Sequence, residues 1–489
     1  MKVTLVTLAT LGAASAAAGS SGASKMEQGM EIKTKQWADA RARGLFGGSL
    51  LYPKIKAQTA CVKGKAGEYQ CNKVNLHGFL SHEDLGSATK AGNDVWGWTS
   101  KTGREFGIVG ETDGVGFIEI NKDGSLDYLG RLDTQTTATS WRDIKVIGHH
   151  AYIGAESPDH GLQIFDLEKL LDVKPWWNPW FWKPKVFSKE KDLTALFTGF
   201  GASHNIVAHE ATKMIYAVGG RSGANARNTT CAGGLFMVDV SNPAKPVSPG
   251  CIPQDGYVHD AQCVIYKGPT KKYRGREVCF GYNEDTLTIM DVTDKKNPVV
   301  ISRTPYVGAE YTHQGWLIDE EQTYLLLDDE LDEMNGKGPA ANGHTTTFIF
   351  NVANLEAPVN TGYYQSPAKS IDHNLYVSFS SSLLLPQCVQ YSTVMLINVQ
   401  VVNGLAYQAN YGSGLRIVDV SGVKIDPTGG NFEEVGFFDC HPEDDDVNGV
   451  VEFLGTWSVY PYFKSGYILL NSIERGIFSL KYTGRRARY

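Results

Sequence analysis

The sequence predicts an all-β fold, a seven-bladed β-propeller of four-stranded sheets, and three observations carry that prediction. A short alternating string ending in an acid or Asn recurs seven times. A second string recurs upstream of each copy. One unassigned strand precedes the first unit, where it can complete the last blade and close the ring.

The first string is clearest in Gly161-Leu162-Gln163-Ile164-Phe165-Asp166-Leu167, Gly234-Leu235-Phe236-Met237-Val238-Asp239-Val240, Thr286-Leu287-Thr288-Ile289-Met290-Asp291-Val292 and Gly414-Leu415-Arg416-Ile417-Val418-Asp419-Val420. Weaker copies lie at 116–120, 348–352 and 476–480. The second string is Asp94-Val95-Trp96, Trp141-Arg142-Asp143-Ile144, Ser203-His204-Asn205-Ile206, Val258-His259-Asp260-Ala261, Thr312-His313-Gln314-Gly315, Asp372-His373-Asn374-Leu375 and Thr456-Trp457-Ser458-Val459. A third β-run lies between the strings, as at Ala151–Ala155, and a fourth follows the acid, as at Pro298–Ser302. Each unit therefore supplies four short strands. The closing strand is Asn75-Leu76-His77-Gly78-Phe79-Leu80, because the last unit ends near Tyr482 without a fourth strand.

The Leu-x-Ile-Val-Asp-type strings, with Asn93-Asp94-Val95-Trp96-Gly97-Trp98 and His373-Asn374, resemble the LVIVD-repeat proteins of the choice-of-anchor B family over roughly residues 72–482. The resemblance implies a secreted or surface-attached propeller and transfers no catalytic residue.

Around that propeller the chain divides simply. Residues 1–18, with Lys2, an apolar run and A-x-A-type small residues, read as a cleaved secretory signal peptide. Residues 19–71 form an N-terminal extension with a Cys61–Cys71 loop, 72–482 the propeller, and 483–489 a basic tail. No later run reaches the length of a membrane span.

Export makes disulfides the expectation for eight cysteines, and local spacing pairs Cys61 with Cys71, Cys231 with Cys251, and Cys263 with Cys279. Cys388 and Cys440 remain. Asn228-Thr229-Thr230 is a glycosylation sequon.

The sixth unit is too long by about two dozen residues. Removing Val377–Gln400 lets Val401-Val402-Asn403-Gly404-Leu405-Ala406-Tyr407 align without a gap on Val146-Ile147-Gly148-His149-His150-Ala151-Tyr152. Val377–Pro386 is what pyrimidine-rich DNA encodes, Val377-Ser378 reads from GTAAGT, Gln400 from CAG, and Leu396-Ile397 can contain CTAAT. Residues 377–400 are thus expected to be a retained intron, which would remove Cys388 from the natural protein.

Chemistry is expected at one mouth of the channel. Inner strands begin, and second strands end, on the same face, since neighbours run antiparallel. Arg142, His204, His259, His313 and His373 should therefore ring that mouth, with Glu284 and Asp329 on the same face. Imidazoles with carboxylates suit a divalent metal, held by His204, His259, His313 and His373, or acid–base work on a ligand. The alternative is that each His bonds the neighbouring blade's backbone. A second candidate surface is the aromatic loop of Trp176, Trp177, Trp180 and Trp182, placed to stack on a sugar or anchor a protein. The acidic run 443–446 lacks EF-hand spacing and reads as a solvated loop.

A net charge of −7 with scattered Lys and Arg excludes a nucleic-acid-binding field. There is no G-x-S-x-G, H-E-x-x-H, Walker A or C-x-x-C motif. The expected function is a secreted or cell-wall-associated binding or scaffold protein, monomeric, with a glycan, cell-wall or protein ligand. The alternative is a metal-dependent extracellular hydrolase or lyase using the same His and carboxylate cluster.

Overall fold

The computed structural model describes residues 25–175, 177, 181–220, 231–378 and 404–484. Seven antiparallel sheets of four repeat-derived strands follow one another along the chain. Their inner strands are Gly92–Thr99, Arg142–Ile147, Asn205–His209, Asp260–Ile265, Thr312–Leu317, Asn374–Ser378 and Thr456–Tyr460, and we number the blades 1 to 7 in that order. The ring closes as the sequence predicts. Val74–Ser81 is the outer strand of blade 7, pairing antiparallel with Gly476–Tyr482 from Val74 on Tyr482 to Ser81 on Gly476.

Three short strands extend this plan. Lys185–Phe187 adds in parallel to the outer edge of blade 1, and Tyr69–Asn72, itself paired with Lys65–Ala66, adds to that of blade 6, covering edges that would otherwise be open. The core lies between blades, where clusters of Val, Ile, Leu, Phe and Tyr from facing sheets are fully buried.

Each repeat string has a structural cause. The Gly that opens it stands where the fourth strand passes close by: a Cβ on Gly161 or Gly414, both at positive φ, would collide with the carbonyl oxygen of Phe197 or Phe438. The acid that ends it caps the following turn. Asp166, Asp239, Asp291 and Asp419 each accept, through Oδ1, the backbone N–H two residues on, at 2.8–3.1 Å, and Asn351 does the same in blade 5.

The upstream string ties blade to blade. Ile144 N–H donates to Asp94 Oδ2 at 2.9 Å, Ile206 N–H to Asp143 Oδ2 at 2.6 Å, Leu317 N–H to Gln262 Oε1 at 2.9 Å, and Leu375 N–H to Gln314 Oε1 at 2.6 Å. Ser458 Oγ donates to Asp94 Oδ1 at 2.6 Å and links the last blade to the first. Lys145 lies buried among these groups, 2.7 Å from Asp143 Oδ1 and 3.5 Å from Asp94 Oδ2.

The three disulfides form as the spacing predicts. Among the described cysteines Cys440 is free, buried against Thr456 Oγ1. Cys388, Asn228 and residues 1–18 lie outside the described residues. No helix among the described residues is long and apolar enough to cross a membrane.

One long helix, α1 (Lys25–Ala42), belongs to the N-terminal extension. Met26, Gly29, Lys33, Trp37 and Ala40 recur at helical spacing and are its buried face. It ends at Gly44, φ 84°, with Leu45 N–H donating to Ala40 O.

Most of the excess segment of blade 6, residues 379–403, also lies outside the described residues. The strands flanking it pair directly, Tyr376 on Tyr407 and Ser378 on Leu405. That is the register of blade 2, where Lys145 meets Tyr152 and Ile147 meets His150. Without 377–400, Val401-Val402 follow Tyr376 and take the places of Val377-Ser378. Asn403-Gly404 then fall where blade 2 has its two-residue turn Gly148-His149, and Asn-Gly is a favoured type I′ pair. We propose that the segment is a retained intron. The major transcript should be shorter by about 72 nucleotides across Tyr376 and Val401. Amplified cDNA that is chiefly full-length would refute it.

Candidate functional site

The four histidines of the upstream strings stand in file at one mouth of the channel. Ring centroids are 4.1 Å apart for His204 and His259, 4.3 Å for His259 and His313, and 4.4 Å for His313 and His373. All four are buried. Each takes its place because it precedes or opens the inner strand of blades 3 to 6.

Their Nδ1 atoms are engaged differently. His313 Nδ1 donates to His373 O at 3.1 Å and His373 Nδ1 to Trp457 O at 2.6 Å, each a carbonyl of the next blade. His204 Nδ1 lies 2.6 Å from Glu156 Oε1, and His259 Nδ1 is 2.9 Å from the Tyr311 hydroxyl. The bonding places the Nδ1 proton on His313 and His373, so their Nε2 atoms present lone pairs.

Those two lone pairs meet Glu330, at 3.8 Å from His313 and 3.4 Å from His373. Lys33 of helix α1 supplies the positive charge, its Nζ 2.6 Å from Glu330 Oε1, with both side chains buried. The ammonium also faces Phe453, Trp457 and Tyr411 at 5.0, 5.6 and 6.0 Å from the ring centroids, a cation–π surround. Tyr411 donates its hydroxyl to the same carboxylate oxygen at 2.5 Å.

Helix α1 therefore caps the mouth. Trp37 lies between Trp141 and Trp457, with centroids at 5.5 and 6.0 Å, and its indole N–H donates to Phe453 O at 2.7 Å. Gln36 accepts from Phe453 N–H at 2.7 Å.

Burial sets the charges here. It pushes His313 down to about 4, and His259 and His373 well below the ordinary imidazole value, with neighbouring imidazoles adding to the effect. Burial pushes the Glu330 carboxyl up, but the Lys33 ammonium bonded to it outweighs that and holds the group well below the carboxylate range.

The other expected mouth residues are arranged less directly. Arg142 is buried, its Nε–H donating to Glu111 O at 3.0 Å. Glu284 sits at φ 76° in the turn between the second and third strands of blade 4. Asp329 accepts from Tyr306 Oη at 2.7 Å and from the backbone N–H of Glu310 and Tyr311 at 2.8 and 2.7 Å, so it shapes the loop entering blade 5. Its neighbour Glu330 is the carboxylate that reaches the imidazoles. His313, Glu330 and His373 bring ligand-type atoms within 4.8 Å of one another. A metal there would meet the carboxylate that Lys33 occupies.

The sequence places the run Asp328-Asp329-Glu330 at this mouth and points to Asp329, whereas the next residue, Glu330, is the one that reaches the imidazoles. Lys33 escaped the sequence reading although it had a signal, a single Lys centred on an otherwise apolar helical stripe.

Of the aromatic loop, Trp176 and Trp180 lie outside the described residues. Trp177 and Phe181 are 69% and 85% exposed, and Trp182 is half-buried beneath Lys174. Val173 and Lys183, on either side of the loop, line a cavity of about 440 Å³ together with Lys169, Asp172, Lys185 and Asp192.

Fold and repeat define the class as a seven-bladed propeller with LVIVD-type strings. The family model that matches is the LVIVD repeat, over residues 231–250, which contain the blade 3 string. No curated protein matches the sequence. Among solved structures, a crystal structure of a protein from Lactobacillus plantarum is similar at 10% identity, covering 78% of this chain and 89% of that one, with a TM-score of 0.44. So distant a likeness carries no argument about function.

Proposed function

We propose that the protein is a secreted, extracellular or wall-associated binding protein, and that its ligand is a glycan held by the aromatic loop of blade 2. The observation that carries this reading is the pairing of exposed Trp177 and Phe181 with a polar cavity at the base of their loop. Aromatic faces stack on the apolar faces of sugar rings, and flanking carboxylates and ammonium groups serve the hydroxyls. Asp172, Asp192, Lys169, Lys183 and Lys185 supply that chemistry. Three disulfides fit an oxidising compartment.

The closed mouth supports binding over catalysis. A hydrolase or lyase using the imidazoles would need helix α1 to withdraw Lys33 from Glu330, which are 2.6 Å apart and buried.

A glycan array probed with the wild type and with Trp177→Ala tests the reading. Wild-type protein should bind a restricted set of oligosaccharides, and Trp177→Ala should weaken that binding at least about tenfold. Equal binding by both proteins, or none by the wild type, removes the loop as a sugar site.

A further inference from the structure

A second group of carboxylates lies directly behind the mouth, in the seam between blades 5 and 6. Asp328 is near the end of the second strand of blade 5 (Tyr324–Asp329), Asp332 and Glu333 open the short helix that follows (Asp332–Asn335), and Asp372 precedes the inner strand of blade 6. Asp328, Asp332 and Asp372 are fully buried and Glu333 is 4% exposed.

Ligand-type oxygens of Asp332, Glu333 and Asp372 lie within 4.8 Å of one another. That is no wider than two oxygens on opposite sides of one Ca²⁺, each bound at 2.3–2.6 Å. The Asp328 carboxyl lies against that of Asp372.

Glu333 Oε1 accepts from Thr346 N–H at 2.9 Å. Both oxygens of Asp332 and Asp372 and Oε2 of Glu333 are buried and meet no N–H or hydroxyl donor at hydrogen-bond distance, the carboxyls instead lying against one another, Asp332 against Glu333 and Asp328 against Asp372, with the Thr347 hydroxyl beside Asp328. Among the described residues, no Lys, Arg or His forms an ion pair with any of the four. Buried carboxylates that converge with few donors and no cation to balance them are the chemical complement of a hard cation.

We propose that Asp332, Glu333 and Asp372, backed by Asp328, form a binding site for a divalent cation of the Ca²⁺ class. The donors are all oxygen, which disfavours the softer metals that imidazole and thiolate select. The site is structural. It ties the turn after Asp329 to the start of blade 6, and its ligands alternate in sequence with the mouth residues, Glu330 preceding Asp332 and His373 following Asp372. Cation binding would therefore fix the two segments that set Glu330 against His373.

The test uses the whole secreted protein. After equilibration with 1 mM CaCl₂ and removal of free ion, elemental analysis of wild type should give one Ca²⁺ per chain that Asp372→Asn and Asp332→Asn lack. Thermal unfolding of the wild type should shift upward between EGTA and CaCl₂, and the shift should vanish in both variants. In EGTA, each variant should unfold no lower than wild type, because neutralising one acid relieves repulsion among the rest. That last readout separates a lost ligand from a damaged fold. A wild type with no bound Ca²⁺ and no shift would mean that the carboxyls are held protonated instead, and would overturn the proposal. A Ca²⁺ equivalent surviving in both variants would place the ion elsewhere, for instance at Asp439, Asp444 and Asp445, and would overturn it equally.

Discussion

Replacing Lys33 by methionine is expected to lower the unfolding free energy by about 3–5 kcal/mol, because it strips the cation from a buried carboxylate. Glu330 would keep the Tyr411 hydroxyl but face two imidazole lone pairs with no positive charge nearby. Loss of packing contributes little, since methionine fills much of the same space against Phe453 and Trp457. Adding Glu330→Gln should recover most of the loss, as removing both members of a buried pair costs far less than removing one. Urea denaturation of the wild type, both single variants and the double variant gives the cycle. A Lys33→Met protein within about 1 kcal/mol of wild type would show that helix α1 is held by its aromatic contacts alone.

Between pH 6.5 and 4 the buried imidazoles of the mouth are expected to draw stability down as pH falls, against the buried carboxyls of Glu111, Asp260, Asp329 and Asp439, which burial pushes up to about 6–7 and which act in the opposite sense over the same window. His313 is held at about 4 by burial, against an ordinary value near 6.5. Between those values the unfolded chain binds a proton that the native mouth refuses, so the contribution of this imidazole rises with pH across that window and falls as pH drops. His313 alone accounts for about 3 kcal/mol over the window, and His259 and His373, pushed down in the same direction, add to it. Glu330 acts lower. Its stabilisation is present above the unfolded value of about 4.3 and is lost as pH falls below it.

An opposite limb lies on the alkaline side. Burial pushes His441 down, but Glu474, 2.7 Å away, raises it to about 9. That contribution is complete below pH 6.5 and disappears as pH rises through 9. Urea midpoints measured from pH 4 to 9 should therefore fall on the alkaline side, and on the acid limb His313→Gln should gain stability relative to the wild type as pH drops from 6.5 to 4, with no such change on the alkaline limb. An acid limb unchanged in that variant would exclude His313 as its source.

Much of the fold was legible in the chain because its causes are local and repeated. The Gly that opens the strings of blades 2, 3, 6 and 7 answers to a close fourth strand, the acid to a turn two residues long, and the Asp or Gln of the inner strand to one backbone N–H of the next blade. Those demands recur, so they appear as periodic letters. The four imidazoles followed from the same register, since equivalent positions on successive blades must share a mouth. The three disulfides followed because each joins segments no more than twenty residues apart.

What only the tertiary structure decided lies where segments far apart in sequence meet once. Lys33 and Glu330 are 297 positions apart, and nothing in either neighbourhood repeats, so no pattern could announce that a helix from the N-terminal extension seals the mouth. Asp332, Glu333 and Asp372 belong to acid-bearing segments that composition alone would assign to solvent. The seam between blades 5 and 6 buries them instead. Local periodicity determined the propeller and its ring of histidines; the charges around that ring depend on which groups the closed fold removes from water together.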